Sequence, residues 1–262
     1  MYLRTTPTYT APMPGYLTTQ ASIAVHGVAH LRVRSLLDSQ QFADPQGLAA
    51  RVGISAATWP LFGLLWPSGA ELAARLAMRP VRLGERILEI GCGLGLASLV
   101  GHRRGADMTA SDCHPLAAGF LANNLLLNGL PPMKYRHGHW GALAEQLALQ
   151  PHAEPTTPLP NDGSVNVSGP FDLILGSDVL YERDDSGSLA RFIQAHAATH
   201  AEVWIVDPHR SNRPAFNRRM ADLGFGLTEL VLNRLATPLR AAYKGRLLTY
   251  VRGTNLKSSP CF

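Results

Sequence analysis

At 262 residues, 46% of them hydrophobic and 16% charged, the chain can bury a sizeable core and has the composition of a folded protein rather than a disordered one. A net charge of +5 would suit an acidic partner, but the basic residues are scattered apart from His209, Arg210, Arg213, Arg218 and Arg219. Such a run on a helix is ordinarily a solvated face. Three cysteines, Cys92, Cys113 and Cys261, give neither a disulfide framework nor a zinc-type spacing, and Met1–Tyr16 lacks the apolar centre of a secretion signal. With Trp59–Trp66 too short to span a bilayer, the expectation is a cytoplasmic protein without a membrane anchor.

No internal repeat is found. Ile23-Ala24-Val25 and Leu31-Arg32-Val33-Arg34 flank Gly27 and alternate apolar with polar residues, which predicts a β-hairpin with one buried face. Residues 38–55 read as loop. Ala70–Met78 then reads as a helix capped by Ser68, with Leu72 and Leu76 on its apolar side. From Arg86 the chain alternates strand and helix: strand Arg86–Ile90, helix Leu94–Arg104 stopped by Gly105, strand Ala106–Ser111, helix His114–Asn128 ended by Gly129, strand Lys134–His137. Residues 150–170, rich in Pro, Thr, Asn and Gly, read as an exposed insertion. Strand Phe171–Gly176, helix Ser188–Thr199, strand Glu202–Asp207 and helix Pro214–Leu223 follow. Two strands, Leu227–Leu232 and Arg246–Val251, close the series as an antiparallel addition at one edge. The pattern predicts a single α/β domain over 1–262, with 1–58 as an N-terminal extension carrying the hairpin.

In such a sheet ligands sit beyond the carboxyl ends of the strands, and the unusual polar residues fall there. Glu89-Ile90-Gly91-Cys92-Gly93-Leu94-Gly95 joins a strand to a helix, where glycines let backbone approach a ligand and the helix offers unpaired N–H groups. A dinucleotide fingerprint needs Gly or Ala three residues beyond its second Gly. Leu96 or Ser98 stands there instead, and Glu89 would repel a pyrophosphate but tolerate a sulfonium. Asp112, 23 residues after Glu89, either accepts hydrogen bonds from both ribose hydroxyls of an adenosine or caps the next helix. Trp140 follows the third strand, where an aromatic could flank an adenine or simply pack. After the fourth comes Ser177-Asp178-Val179-Leu180-Tyr181; if the chain turns helically there, Asp178 and Tyr181 project on one side, or else form a cap and a packed ring. His137 and His139 share a strand face but lack a third protein ligand, so no metal site is assigned. Asp207-Pro208-His209 reads as a turn, and Cys92 and Cys113 have no base nearby in sequence to make them nucleophiles.

Together, the Glu-x-Gly-x-Gly-x-Gly loop, the acid on the second strand and Ser177–Tyr181 resemble the class I S-adenosylmethionine-dependent methyltransferases, more narrowly the seven-β-strand protein-lysine methyltransferases with an Asp-x-x-Tyr motif. Leu65–Gly69 and Trp140-Gly141 are similar to that family's tryptophan motifs, and the likeness runs from Trp59 to Gly224. It implies a Rossmann-like, doubly wound, mostly parallel seven-stranded sheet with an antiparallel edge strand. It implies a cofactor site formed by Trp66, Gly91, Gly93, Asp112, Trp140 and Ser177, with Glu89, Cys92 and Gly95 of the same loop counted with them. It also implies that Asp178 lies beside the incoming amine, orienting it or accepting its proton, with Tyr181 shaping the channel. His139 and the long 150–170 insertion depart from the family. The implied acceptor is a protein lysine; a small-molecule acceptor and a non-catalytic binding module are the alternatives. The absence of Asn/Asp-Pro-Pro-Tyr after the fourth strand counts against a nucleobase acceptor.

Overall fold

The computed structural model describes residues 15–140, 166–236 and 241–253. Most of the expected 150–170 insertion, Gly141 and Cys261 lie outside the described residues. No helix among those described is long and apolar enough to cross a membrane.

The hairpin pairs β1 (Thr18–Ile23) with β2 (Leu31–Leu36), antiparallel, Thr18 opposite Leu36. Its first strand thus lies earlier than Ile23–Val25. Leu31 and Val33 are fully buried while Arg32 points outward, the alternation a strand with one covered face requires. The cover is α4 (Ala117–Leu127), and the junction is polar. Asn124 of α4, itself fully buried, accepts from the Arg34 N–H (2.8 Å) and donates to the Arg34 carbonyl (3.3 Å), while Asn128, its C-cap residue, does the same for Arg32 (3.0 and 2.7 Å). Two asparagine amides therefore satisfy an edge of β2 as a third strand would. Asn124 also donates to the carbonyl of Leu94, in the glycine loop (3.3 Å).

Between hairpin and sheet, α1 (Leu48–Arg51) forms within the stretch read as loop, because the Asp44 carboxylate accepts from the Ala49 and Ala50 N–H groups. A 3-10 helix (Trp59–Gly63) precedes α2 (Pro67–Met78). Ser68 is not the cap of α2. Trp66 occupies that position with extended backbone, Pro67 begins the helix with its fixed φ, and the Ser68 hydroxyl is buried against the Tyr243 hydroxyl (2.9 Å).

The remaining elements are β3 (Arg86–Ile90), α3 (Leu96–Arg103), β4 (Asp107–Asp112), α4, β5 (Lys134–His137), β6 (Phe171–Ser177), α5 (Ser188–His196), β7 (Ala197–Asp207), α6 (Arg213–Asp222), β8 (Gly226–Arg234) and β9 (Tyr243–Arg252). They build a seven-stranded sheet in the order β5-β4-β3-β6-β7-β9-β8, parallel except for β9, which runs antiparallel to both neighbours at that edge. α5 stops at His196 rather than Thr199. Ala197 pairs with Phe171, and Arg252 donates to the carbonyls of Ala197 and Ala198, so these residues are drawn directly into β7. Successive residues of β3 face opposite layers: Ile87 joins a core with Leu72, Leu99 and Phe120, whereas Leu88 and Ile90 join one with Ile193, Met220 and Leu248. Strand order reverses between β3 and β6, the switch point at which an open α/β sheet forms a crevice.

Asn124→Ala would strand the Arg34 N–H and two carbonyls, of which that of Leu94 is buried. A loss of about 1–3 kcal/mol in urea-unfolding free energy is expected, against less than about 0.5 kcal/mol for the half-buried neighbour Asn123→Ala, whose amide bonds only within its own helix.

Candidate active site

A cleft of about 1350 Å³ opens at this switch point, walled on one side by the ends of β3 and β4 and on the other by the end of β6. The first wall is the loop after β3, whose three glycines all have left-handed backbone: Gly91 (φ 56°), Gly93 (φ 52°) and Gly95 (φ 72°). Packing adds to the dihedral constraint. A Cβ on Gly93 would lie 2.7 Å from the Phe62 carbonyl oxygen, and one on Gly95 2.5 Å from a Leu121 methyl. On Gly91 it would meet Val179 at 3.0 Å and the Trp140 indole at 3.4 Å. A plain strand-to-helix turn requires far less.

Glu89 is buried beneath this loop and accepts from both the N–H and the hydroxyl of Ser98, in the first turn of α3. Its carboxylate therefore supplies the cap that Gly95 cannot. Burial pushes its pKa up to about 7; the Ser98 bonds oppose the rise and the charge of Asp112 adds to it. Glu89 thus has a structural task that the sulfonium argument did not foresee. Asp112, at the tip of β4, accepts from Gly93 N–H and His114 N–H, each at 2.8 Å. The following helix begins only at Ala117, so Asp112 ties the glycine loop to the His114 turn instead of capping α4. Burial raises its pKa too. A carboxylate has about four acceptor positions, so these two bonds leave capacity for a ligand's hydroxyls.

His114 had no role in the sequence reading. Its ring stacks on Phe62 (3.6 Å, 10° between planes), its Nδ1 accepts from the Leu116 N–H, and burial pushes its pKa down to about 3. A neutral ring accepting at Nδ1 carries its proton on Nε2, and that buried Nε2 has no protein partner. The cleft wall therefore holds one unmatched donor beside the Asp112 acceptor.

Trp66, 38% exposed, sits across the opening with its indole N–H donated to the Leu61 carbonyl (2.9 Å). Trp140 follows β5 and packs against Phe192 (5.6 Å between rings), and His139 beside it donates to the Val52 carbonyl (3.0 Å). Cys92 and Cys113 are free thiols whose pKa values burial and the Asp112 charge both raise, which does not suit a nucleophile. Among the described residues, no group of three His, Cys, Asp or Glu side chains could hold a metal ion.

The second wall departs from expectation. Ser177 ends β6, but residues 178–181 do not turn helically. Asp178 takes left-handed backbone (φ 54°), with its N–H donated to the Val206 carbonyl (2.9 Å), and Tyr181 lies further out, 46% exposed. The Asp178 carboxylate is held by Arg210 in a two-pronged pair, Nε to Oδ1 at 2.7 Å and Nη2 to Oδ2 at 2.9 Å. The basic run at 209–219 is only in part a solvated face: His209 and Arg218 are exposed, but Arg210 closes on the cleft and Arg219 donates to the carbonyls of Asp184 and Asp185. Only the three-dimensional approach of residues 32 apart reveals the Asp178–Arg210 pair. The 207–209 turn does form, with Asp207 accepting from the Arg210 N–H and His209 at φ 67°.

Glu89 makes stability pH-dependent in a defined direction. The folded protein retains its proton up to about pH 7, whereas an unfolded glutamate loses it near 4.5, so stability falls as pH rises through that window. The loss is on the order of 3 kcal/mol. Glu89→Gln removes it. The unfolding free energy of the variant minus that of the parent should therefore increase from pH 4.5 to pH 7, and a flat difference would refute the buried-carboxyl account. His114 acts oppositely between about pH 3 and 6.5, which is why the comparison is made at each pH.

No protein-family model matches the chain. The electron transfer flavoprotein beta subunit lysine methyltransferase of Danio rerio is 25% identical over 204 residues, covering 70% of each chain. The protein N-lysine methyltransferase METTL21A of Mus musculus is 34% identical over 144 residues, 55% of this chain and 58% of that one. The histone-arginine methyltransferase METTL23 of Rattus norvegicus is 30% identical over 151 residues, 56% and 58% respectively. Apart from the Danio rerio protein, the chain spans little more than half the length of these relatives. Strand order, glycine loop and these likenesses agree: by fold and sequence the chain resembles the class I S-adenosylmethionine-dependent methyltransferases, and the relatives it matches include protein-lysine methyltransferases.

Proposed function

We propose that the chain methylates the side-chain amine of a protein lysine, with the cofactor held against Gly91, Cys92, Gly93, Gly95 and Asp112 and flanked by Trp66, Trp140 and Ser177. The observation that carries the proposal is the pairing, across one cleft, of a left-handed glycine loop tied to Asp112 with the Ser177–Tyr181 segment. The donor set fits S-adenosylmethionine: an acidic acceptor and an unmatched His114 N–H stand beside backbone that a Cβ at Gly91 would obstruct. When bound there, the cofactor supplies an electrophilic methyl group on a sulfonium. The cleft exceeds the ~300–1000 Å³ typical of a single small-ligand site, leaving room for an acceptor side chain.

The protein's own contribution is placement and desolvation. Aligning amine and methyl in one pocket supplies most of the acceleration for a displacement that needs no covalent enzyme intermediate. A lysine enters with a pKa near ~10.4 and must be neutral to attack; a site that excludes water favours that form. Asp178 and Tyr181 border the acceptor path, and the lysine reading also rests on the printed activities of the Danio rerio and Mus musculus relatives. The two free thiols suit a reducing cytoplasm, and 1–262 is read as one catalytic domain with its hairpin extension. A guanidinium acceptor is the second reading. Asp178 already binds one in the two-pronged geometry that an arginine substrate would present, and METTL23 is named for that chemistry.

The test is incubation with tritiated S-adenosylmethionine and cell lysate, followed by mass spectrometry of labelled bands. The reading expects methyl-lysine in a protein; methyl-arginine supports the second reading, and label confined to small molecules overturns both. In parallel, Gly93→Ala should weaken S-adenosylhomocysteine binding at least about tenfold by calorimetry and abolish labelling, because the added methyl meets the Phe62 carbonyl in a backbone region that alanine rarely adopts.

A further inference from the structure

We propose that Arg210 is a positioning residue that keeps the Asp178 carboxylate paired, so that the acceptor amine enters the site as the neutral base rather than as an ammonium. The inference rests on the amine-acceptor reading above and deepens it. Asp178 is anchored through its N–H to Val206, and Arg210 through its N–H to Asp207, so both partners are fixed to the end of β7. The guanidinium meets both carboxylate oxygens, which leaves Asp178 9% and Arg210 39% exposed at the side chain.

An unpaired carboxylate here would bind lysine in its charged form and hold it there, since an adjacent anion favours the protonated amine. That complex cannot react, because the lone pair is occupied by the proton. Arg210 cancels the charge and, as a cation, disfavours a second one. Arginine suits the task because it stays charged at any pH at which lysine deprotonates. The other groups facing the pair do not replace it. Asp207 of β7 is buried, its pKa is raised by that burial, and it lies within the influence of Arg213 of α6. Tyr181 and Glu182 lie on the segment after β6, where Tyr181 also feels Asp112 and Cys113. Tyr243 of β9 feels Glu71 of α2 and is bonded to Ser68. Arg210 is the cation in contact with Asp178.

The probe is n-butylamine, a lysine side chain without its backbone, added to the full-length protein saturated with S-adenosylhomocysteine and followed by NMR titration between about pH 7 and 11. The parent should bind it poorly at pH 7 and better as the amine loses its proton near ~10.4. Arg210→Gln should bind it at least tenfold more tightly at pH 7 and lose that advantage as pH rises; Arg210→Met, which keeps the aliphatic stem, carries the same expectation if the amide variant folds poorly. Equal affinity and equal pH dependence in parent and variant would overturn the proposal. With a labelled protein acceptor, Arg210→Gln should lower KM and kcat together at neutral pH, kcat recovering toward the parent value at alkaline pH. A purely structural role would instead lower kcat without that recovery. Should the parent label no amine while the butylamine profiles still diverge, the cation-rejecting role of Arg210 stands and the lysine reading falls.

Discussion

The hydrogen bond from the Gly93 N–H to the Asp112 carboxylate is the joint on which the cleft is assembled. It forces the loop after β3 to turn toward the tip of β4, and only left-handed backbone makes that turn while passing under the Phe62 carbonyl. The second oxygen of Asp112 fixes the His114 turn, whose ring then lies flat on Phe62. One buried carboxylate thus coordinates two strand ends, the 3-10 helix and the loop. Burial of that charge is costly, and the N–H donors offset part of the cost.

A second layer of polar bonds supports the first from outside. Glu89 holds the first turn of α3, and Asn124 runs from the glycine-loop carbonyl of Leu94 to the backbone of β2. The N-terminal hairpin is therefore part of the wall behind the loop rather than an appendage. Opposite stands a wall of different character. Asp178 and Arg210 form a pair whose anchors both lie at the end of β7, so this wall is set by the relation of β6 to β7 and the glycine-loop wall by that of β3 to β4. The two sides meet at the switch point, where Ser177 and the glycine loop face each other across neighbouring strands.

Much of the sheet was legible because alternation and punctuation are local. Arg86–Ile90 is a buried β-branched run, Gly105 and Gly129 follow helices, and each strand end is marked by a polar residue out of pattern. What stayed hidden is what depends on distant approach. Asn124 and Asn128 look like ordinary helix-end residues until β2, about 90 residues earlier, lies beside them. Asp178 was expected on a helical turn because three-residue spacing suggests one, but its left-handed backbone (φ 54°) departs from the helical path and the turn does not form. Arg210 sat in a basic run that reads as a solvated helix face, and nothing local distinguishes the one arginine that pairs with Asp178. Glu89 also has a structural part that its place in the motif did not reveal: one carboxylate oxygen accepts from Ser98, nine residues on.

The central claim is that the glycine-loop wall with Asp112 holds the methyl donor and the Asp178 wall receives the amine. A crystal structure of the full chain with S-adenosylhomocysteine tests this most directly. The account predicts ribose hydroxyls on the Asp112 carboxylate, the amino-acid end against the glycine loop and the thioether sulfur open toward Ser177 and Asp178. A ligand bound elsewhere, or one in the cleft leaving Asp112 uncontacted, would contradict it.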